Sequence, residues 1–339
     1  MKKIAGLIVF AAFLFLLTGC SEASQEDVVK KLEETSAELQ GYKAEATMKL
    51  NTGEEQQAYG IDVWYQKDNH YRVLLENDTD EQGSQVILRN KDGVFVLTPA
   101  LRKSFKFQSE WPYNSSQPYL YQSLVQDVLK DNNATFESTE EHYVFKTKTT
   151  YQNNTTLPYQ EIYFNKKTYT PELVKVLDKD KKPMVEVAFS AFKLDPKFGE
   201  KDFELENNMT GSLSGVPASA VPNEQQGLTV LYPTETAGAT LAEEKEVSAD
   251  GKERVILTYE GEKSFTLVQE QADVSETAAA TAAIPASGEP ISLGFTVGAI
   301  TSSSLTWTNN GVDYMLASEE LTREEIQEVA ASINGQAMK

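Results

Sequence analysis

From Tyr42 onward the chain alternates apolar and polar side chains with a period of two, segment after segment. Tyr42, Ala44, Ala46, Met48 and Leu50 alternate with Lys43, Glu45, Thr47 and Lys49. That period puts each set on one face of a strand, so the segment predicts an antiparallel strand buried on one side. Asn51-Thr52-Gly53 turns the chain. Tyr59, Ile61, Val63 and Tyr65 repeat the pattern with Trp64 on the polar side, Lys67-Asp68-Asn69 turns again, and Tyr71, Val73 and Leu75 follow. Further strands are expected at Gln85–Arg89, Val94–Leu97 and Arg102–Phe107, then at Thr135–Ser138, Tyr143–Thr147, Tyr159–Phe164, Leu173–Leu177 and Val185–Phe192. So many short strands imply one large curved antiparallel sheet.

Two segments carry a helical period instead. Ser24–Leu39 sets Val28, Val29, Leu32, Ala37 and Leu39 toward one side, and Pro118–Lys130 does the same with Leu120, Leu124, Val125, Val128 and Leu129. Residues 207–226 are rich in Ser, Asn, Gly and Pro and read as a linker. A second, smaller domain is expected over 227–339, with strands at Leu228–Tyr232, Arg254–Tyr259, Ser264–Gln269, Leu305–Thr308 and Val312–Ala317. Ala272–Pro290 is poor in large side chains and reads as a loop. Thr322-Arg323-Glu324-Glu325 has capping-box spacing, opening a terminal helix with Ile326, Val329, Ala330 and Ile333 on its apolar face and Gly335 as its C-cap. The fold class is therefore α+β.

The first residues read as an export signal. Lys2 and Lys3 precede an uncharged apolar run, Ile4–Leu17, that is short against the ~20 residues of a membrane span. Leu17-Thr18-Gly19-Cys20 resembles the bacterial lipobox. The resemblance implies removal of residues 1–19, lipid attachment at Cys20, acylation that includes palmitate, and a place on the extracytoplasmic face of the cell membrane. Two acyl chains anchor stably where one is marginal. Cys20 is the only cysteine, so no disulfide is available and the fold rests on its core. Net charge is −20, which disfavours nucleic acid and anionic lipid headgroups as partners.

The order of elements over residues 20–206 resembles the LolA-like lipoprotein carrier fold. Asp92-Gly93-Val94-Phe95-Val96-Leu97-Thr98-Pro99 is similar to that family's hairpin strand, Leu157-Pro158 and the strands after it to its late strand pair, and Asp202-Phe203-Glu204-Leu205 to its closing segment. The resemblance implies a curved antiparallel half-barrel covered by helices, able to hold acyl chains. The C-terminal stretch with Trp307, Gly311, Tyr314, Leu316, Ser318 and Leu321, taken with the lipobox, resembles a family of Bacillus sporulation lipoproteins. That implies a role in spore formation and the cell envelope.

Catalytic chemistry is not expected. The two histidines, His70 and His142, have no metal-ligand spacing. Ser190-Ala191-Phe192-Lys193 fits S-x-x-K but lies on an expected strand, and Asp178 and Asp180 lack the glycine and glutamate of a calcium loop. No catalytic residue, metal site or cofactor is assigned, and two readings stay open. In a binding module, a lipid or other hydrophobic ligand would sit on a concave face. That face is formed by Ala46, Met48 and Leu50, by Ile61, Val63 and Tyr65, and by Tyr71, Val73 and Leu75; small Ala beside flexible Met suits varied acyl chains. The same alternation also makes an ordinary packed core. In a non-enzymatic scaffold, both domains would recruit or regulate a cell-envelope protein partner. Trp64, Trp111 and Trp307 would then be anchors, or simply packing.

Overall fold

The computed structural model describes residues 23–51, 57–77, 84–113, 116–151, 156–211, 228–249, 252–273 and 283–333. Cys20 and residues 1–19, the part 212–226 of the expected linker, and Gly335 lie outside them. Helix α1 (Gln25–Glu38) begins at a capping box: Ser24 Oγ accepts from Asp27 N, and the Asp27 carboxylate accepts from Ser24 N. Its Val28 and Leu32 are fully buried, each contributing about 1.5–3 kcal/mol relative to exposure.

The first sheet follows: β1 (Gly41–Leu50), β2 (Gln57–Gln66), β3 (His70–Asn77), β4 (Gln85–Asn90), β5 (Gly93–Thr98) and β6 (Lys103–Phe107). Helix α2 (Tyr121–Lys130) interrupts it. It resumes with β7 (Thr135–Ser138), β8 (His142–Lys148), β9 (Tyr159–Asn165), β10 (Pro171–Leu177) and β11 (Pro183–Leu194). The expected strands and both helices are found within a few residues of their expected ends. β1 pairs antiparallel with β2 and with β11, closing the two halves into one sheet. Opposite Glu45 and Ala46 the β1–β11 register slips by one residue, a bulge that bends the sheet. Ser190 occupies that bulge and its hydroxyl donates to the Glu45 carbonyl, 3.2 Å away, so the S-x-x-K serine serves the backbone.

Strands β4 and β5 are buried on both faces. Val86, Leu88, Phe95 and Leu97 form a second, convex-side core with Phe203 and Met209. Met209 comes from a short helix, α3 (Leu205–Gly211), which replaces the first five residues of the expected linker. The physical reason is anchoring. Asn208 is buried, accepts from Arg72 Nε at 2.7 Å, and donates to the Glu204 carbonyl at 2.8 Å.

The second sheet runs in the order β12 (Thr240–Ala249), β13 (Lys252–Glu260), β14 (Phe265–Gln271), β19 (Val312–Ala317), β18 (Ser304–Asn309), β17 (Val297–Ile300) and β16 (Glu289–Ser292). Helix α4 (Arg323–Ala331) covers it, with the Thr322 capping box formed and Ile326, Val329 and Ala330 buried. Two expectations are corrected here. Leu228–Tyr232 is not a strand, because the side-chain amide of the fully buried Gln269 takes up both Leu231 N–H and Leu231 C=O. The part of Ala272–Pro290 that is described is not all loop. Ile284–Pro285, here β15, pairs parallel with β6 at Phe105 and Lys106, so the C-terminal part of the chain lends an edge strand to the first sheet.

The two sheets share one continuous hydrophobic core. Buried Gln85 on β4 accepts a 2.9 Å hydrogen bond from Val297 N on β17, and Lys103 Nζ lies 2.8 Å from Asp313 Oδ2. Gln85→Leu leaves the buried Val297 N–H without a partner. It is expected to lower the stability of the whole chain by about 1–3 kcal/mol. Urea unfolding checks this through a lower midpoint with an unchanged slope.

Candidate ligand-binding site

The concave face of the first sheet divides into a filled end and a hollow end. At the filled end Tyr42 stacks on Phe192 (4.9 Å, 17°) and meets Tyr121 edge-on at 6.3 Å. Tyr42 Oη also accepts from Tyr121 N, capping α2. Tyr65, Tyr71 and Trp111 continue this aromatic cluster. At the hollow end a cavity of about 490 Å³ lies between the first sheet and the C-terminal part of the chain. Its first wall is apolar: Met48 and Leu50 from β1, Ile87 from β4, Trp111, Val176 from β10 and Val185 from β11. Its second wall comes from the other domain, with Leu293, Gly294 and Val297 deep and Glu235, Glu328 and Ser332 at the polar side. Ile87 and Val176 are five strand positions apart, about 24 Å in a flat sheet. That both line one cavity measures how strongly the sheet curves.

Gly294 fixes how closely the walls approach. Its φ is +88° and a Cβ there would lie 3.2 Å from Leu50 Cδ1, so the backbone sits against the Leu50 side chain where only glycine fits without strain.

Of the nine residues expected on the concave face, the cavity brings together Met48 and Leu50. Ala46, Ile61, Val63, Tyr71, Val73 and Leu75 are buried in the shared core and Tyr65 is half-buried beside Tyr71. Of the three tryptophans, Trp111 and Trp307 are buried, at 4 % and 5 % exposure. Trp64 is half-buried under Lys43, whose Nζ sits 3.6 Å from the ring centroid. The whole second wall escaped the sequence reading, since nothing local in residues 290–297 or 327–332 says that they face another domain. Among the described residues no group of three or more His, Cys, Asp or Glu is placed to hold a metal ion, and no helix is long and apolar enough to cross a membrane.

Residues 1–203 match the family described as "Sporulation protein YdcC-like". Over 339 residues the chain is 48% identical to "Sporulation protein YdcC" of Bacillus subtilis (strain 168), covering 100% of this chain and 98% of that one. The chain belongs to the YdcC-like family of sporulation proteins. Among solved structures it is similar to the MucA/MucB complex of Pseudomonas aeruginosa (14% identity, TM-score 0.33, 92% of this chain and 99% of that). It is also similar to a LolA superfamily protein from Nitrosomonas europaea (12% identity, TM-score 0.30, 53% and 97%).

In this YdcC-like chain a buried polar network supports the cavity from behind. Asp127 on α2 accepts from Ser116 Oγ (2.8 Å), Gln160 Nε2 (2.7 Å) and Thr150 Oγ1 (3.3 Å). Ser116 lines the cavity, as do Tyr119 and Tyr151, whose hydroxyls burial pushes upward in pKa so that they stay protonated. Burial also raises the Asp127 carboxyl above its ordinary value of 3.8, outweighing the lowering by Ser116, Gln160, Thr150 and Lys130. A carboxyl raised on folding binds its proton more tightly in the folded chain. Its stabilising contribution is therefore complete below the unfolded value and is lost as pH rises through the folded one. Asp127→Asn keeps the hydrogen bonds, because the Ser116 and Thr150 hydroxyls also accept. Above pH 3.8 the parent chain is expected to lose stability relative to this variant as pH rises. Unfolding free energies of the two across pH check it; a constant difference contradicts it.

Proposed function

We propose that this sporulation-family chain is a lipid-anchored envelope protein that holds an apolar ligand of the acyl-chain class between its two domains. The cavity carries the reading. Packed interiors leave few voids larger than a water molecule, whereas this one, at about 490 Å³, lies within the roughly 300–1,000 Å³ of small-molecule sites. Met48 and Met184 in its lining are unbranched and adapt to chains of different shape. The tether rests on Leu17-Thr18-Gly19-Cys20; Cys20→Ser is expected to abolish palmitate labelling and release the chain from membranes.

The cavity is tested in the membrane-bound full chain with a photoreactive methionine analogue replacing the methionines. Irradiation is expected to leave a lipid-sized mass on the peptide containing Met48, and Leu50→Trp, which fills the space, is expected to remove it. An unmodified Met48 peptide, or one joined only to protein, overturns the reading. A scaffold role has one supporting observation. Ile256, Val268 and Met315 stand in one cross-strand row on the face of the second sheet opposite its core, and Met315 is 44 % exposed. Specific capture of an envelope protein by the full chain, lost with Met315→Glu, would favour it.

A further inference from the structure

The polar side of the cavity has a sign. Glu328 and Ser332 lie four residues apart and so share one face of α4, extended by its last turn. Residues 234–235 are tied to the same point: Glu235 N donates to Ser332 Oγ at 3.0 Å and Thr234 Oγ1 donates to the Ser332 carbonyl at 3.4 Å, while the Ser332 hydroxyl donates to the Val329 carbonyl at 2.8 Å. Glu328 also accepts from the Thr156 hydroxyl across the domain junction. The cluster is thus held in place by both domains. It contains two acidic residues, Glu235 and Glu328, and among the described residues the lining of the cavity contains no Lys, Arg or His. The C-terminal end of α4, which closes at Ser332, adds the negative pole of a helix dipole. Just outside, the groove that shares Glu328 sets Asp178, Asp180 and Glu324 against Lys179, the one cation among its described lining residues, while its Glu325 is paired with Lys263. Gln327, only 8 % exposed, turns its amide into the same wall and donates to the Ser292 carbonyl at 2.9 Å.

From this juxtaposition we infer that the ligand is an amphiphile with a cationic, ammonium-type polar end. Its apolar chain lies along Met48, Leu50 and Ile87 and its positive end meets Glu235, Glu328 and the end of α4. This rests on the proposed apolar-ligand reading and specifies it further. A carboxylate- or phosphate-ended amphiphile would bring like charge to a site with no cation among its described residues, whereas a hydroxyl end is neutral toward the field. Glu235 is exposed to solvent and Glu328 half-buried, so the selection is partly screened and weakens as salt rises.

Dodecylamine, dodecanol and dodecanoic acid, each with a terminal diazirine, provide the test on membranes carrying the full chain. Labelling of the peptide containing Met48 is compared between the parent and the double variant Glu235→Gln with Glu328→Gln. Using the same membranes for both chains cancels each probe's partitioning. The ammonium-to-carboxylate labelling ratio is expected to fall about tenfold in the variant, as two nearby charges acting across a largely aqueous rim imply, while the alcohol labels both chains alike. An unchanged ratio with Leu50-sensitive labelling by the alcohol overturns the charge selection alone. Failure of all three probes to label the peptide, or labelling that Leu50→Trp does not reduce, overturns the apolar-ligand reading and this inference together.

Discussion

The contact between Leu50 at the end of β1 and Gly294 on the facing domain determines what the rest of the molecule can be. Leu50 lies on the central strand of the first sheet, two places from β10 and three from β4. Without a covering surface, Met48, Leu50, Ile87 and Val176 would form an exposed apolar patch of the kind that soluble chains avoid. The second domain supplies that cover through the Gln85–Val297 hydrogen bond, the Lys103–Asp313 ion pair and the strand lent to β6. It does not fill the space, because the approach stops where the Gly294 backbone meets the Leu50 methyls. A cavity is what remains between two surfaces held in register but not interdigitated.

The two ends of the concave face meet the same requirement in different ways. Near Tyr42 helix α2, with α1 packed against it, lies on the sheet, and large aromatics take up the volume: Tyr42, Tyr121 and Phe192 in mutual contact, then Tyr65, Tyr71 and Trp111. Near Leu50 the cover comes from a separate domain whose facing residues include Gly294, Ser292 and Ala331, too small to reach across. Asp127 sits beside the boundary of the two ends. Its hydrogen bonds hold Ser116, Gln160 on β9 and Thr150 just beyond β8, so the back of the pocket is polar.

Much of the first sheet was legible because each strand carries its own period-two record, and the Thr322 capping box was legible because it is written within four residues. What the alternation does not encode is which buried side chains touch a partner and which face a void. Ala46 and Met48 are alike in pattern, yet one is core and the other lines the cavity. The 228–232 segment misled because an apolar run binds equally well to a strand ladder or to a single buried amide, here that of Gln269. Strand β12 was invisible for the opposite reason: Thr240–Ala249 is an edge strand, dominated by exposed charge, as sheet edges often are. Ile284–Pro285 reads as loop because only its pairing with β6, some 180 residues away in sequence, makes it a strand. Long-range partnership of this kind leaves no local trace, and it is what builds the second wall.

The account therefore stands or falls on whether one ligand contacts both walls at once. Hydrogen exchange of the full chain, with and without saturating dodecanol, reads this most directly. The account predicts slower exchange together in residues 48–50 and 176–185 of the first domain and in 290–297 and 327–332 of the second, with the Tyr42–Tyr121 end unchanged. Protection confined to one domain, or no protection anywhere, would contradict it.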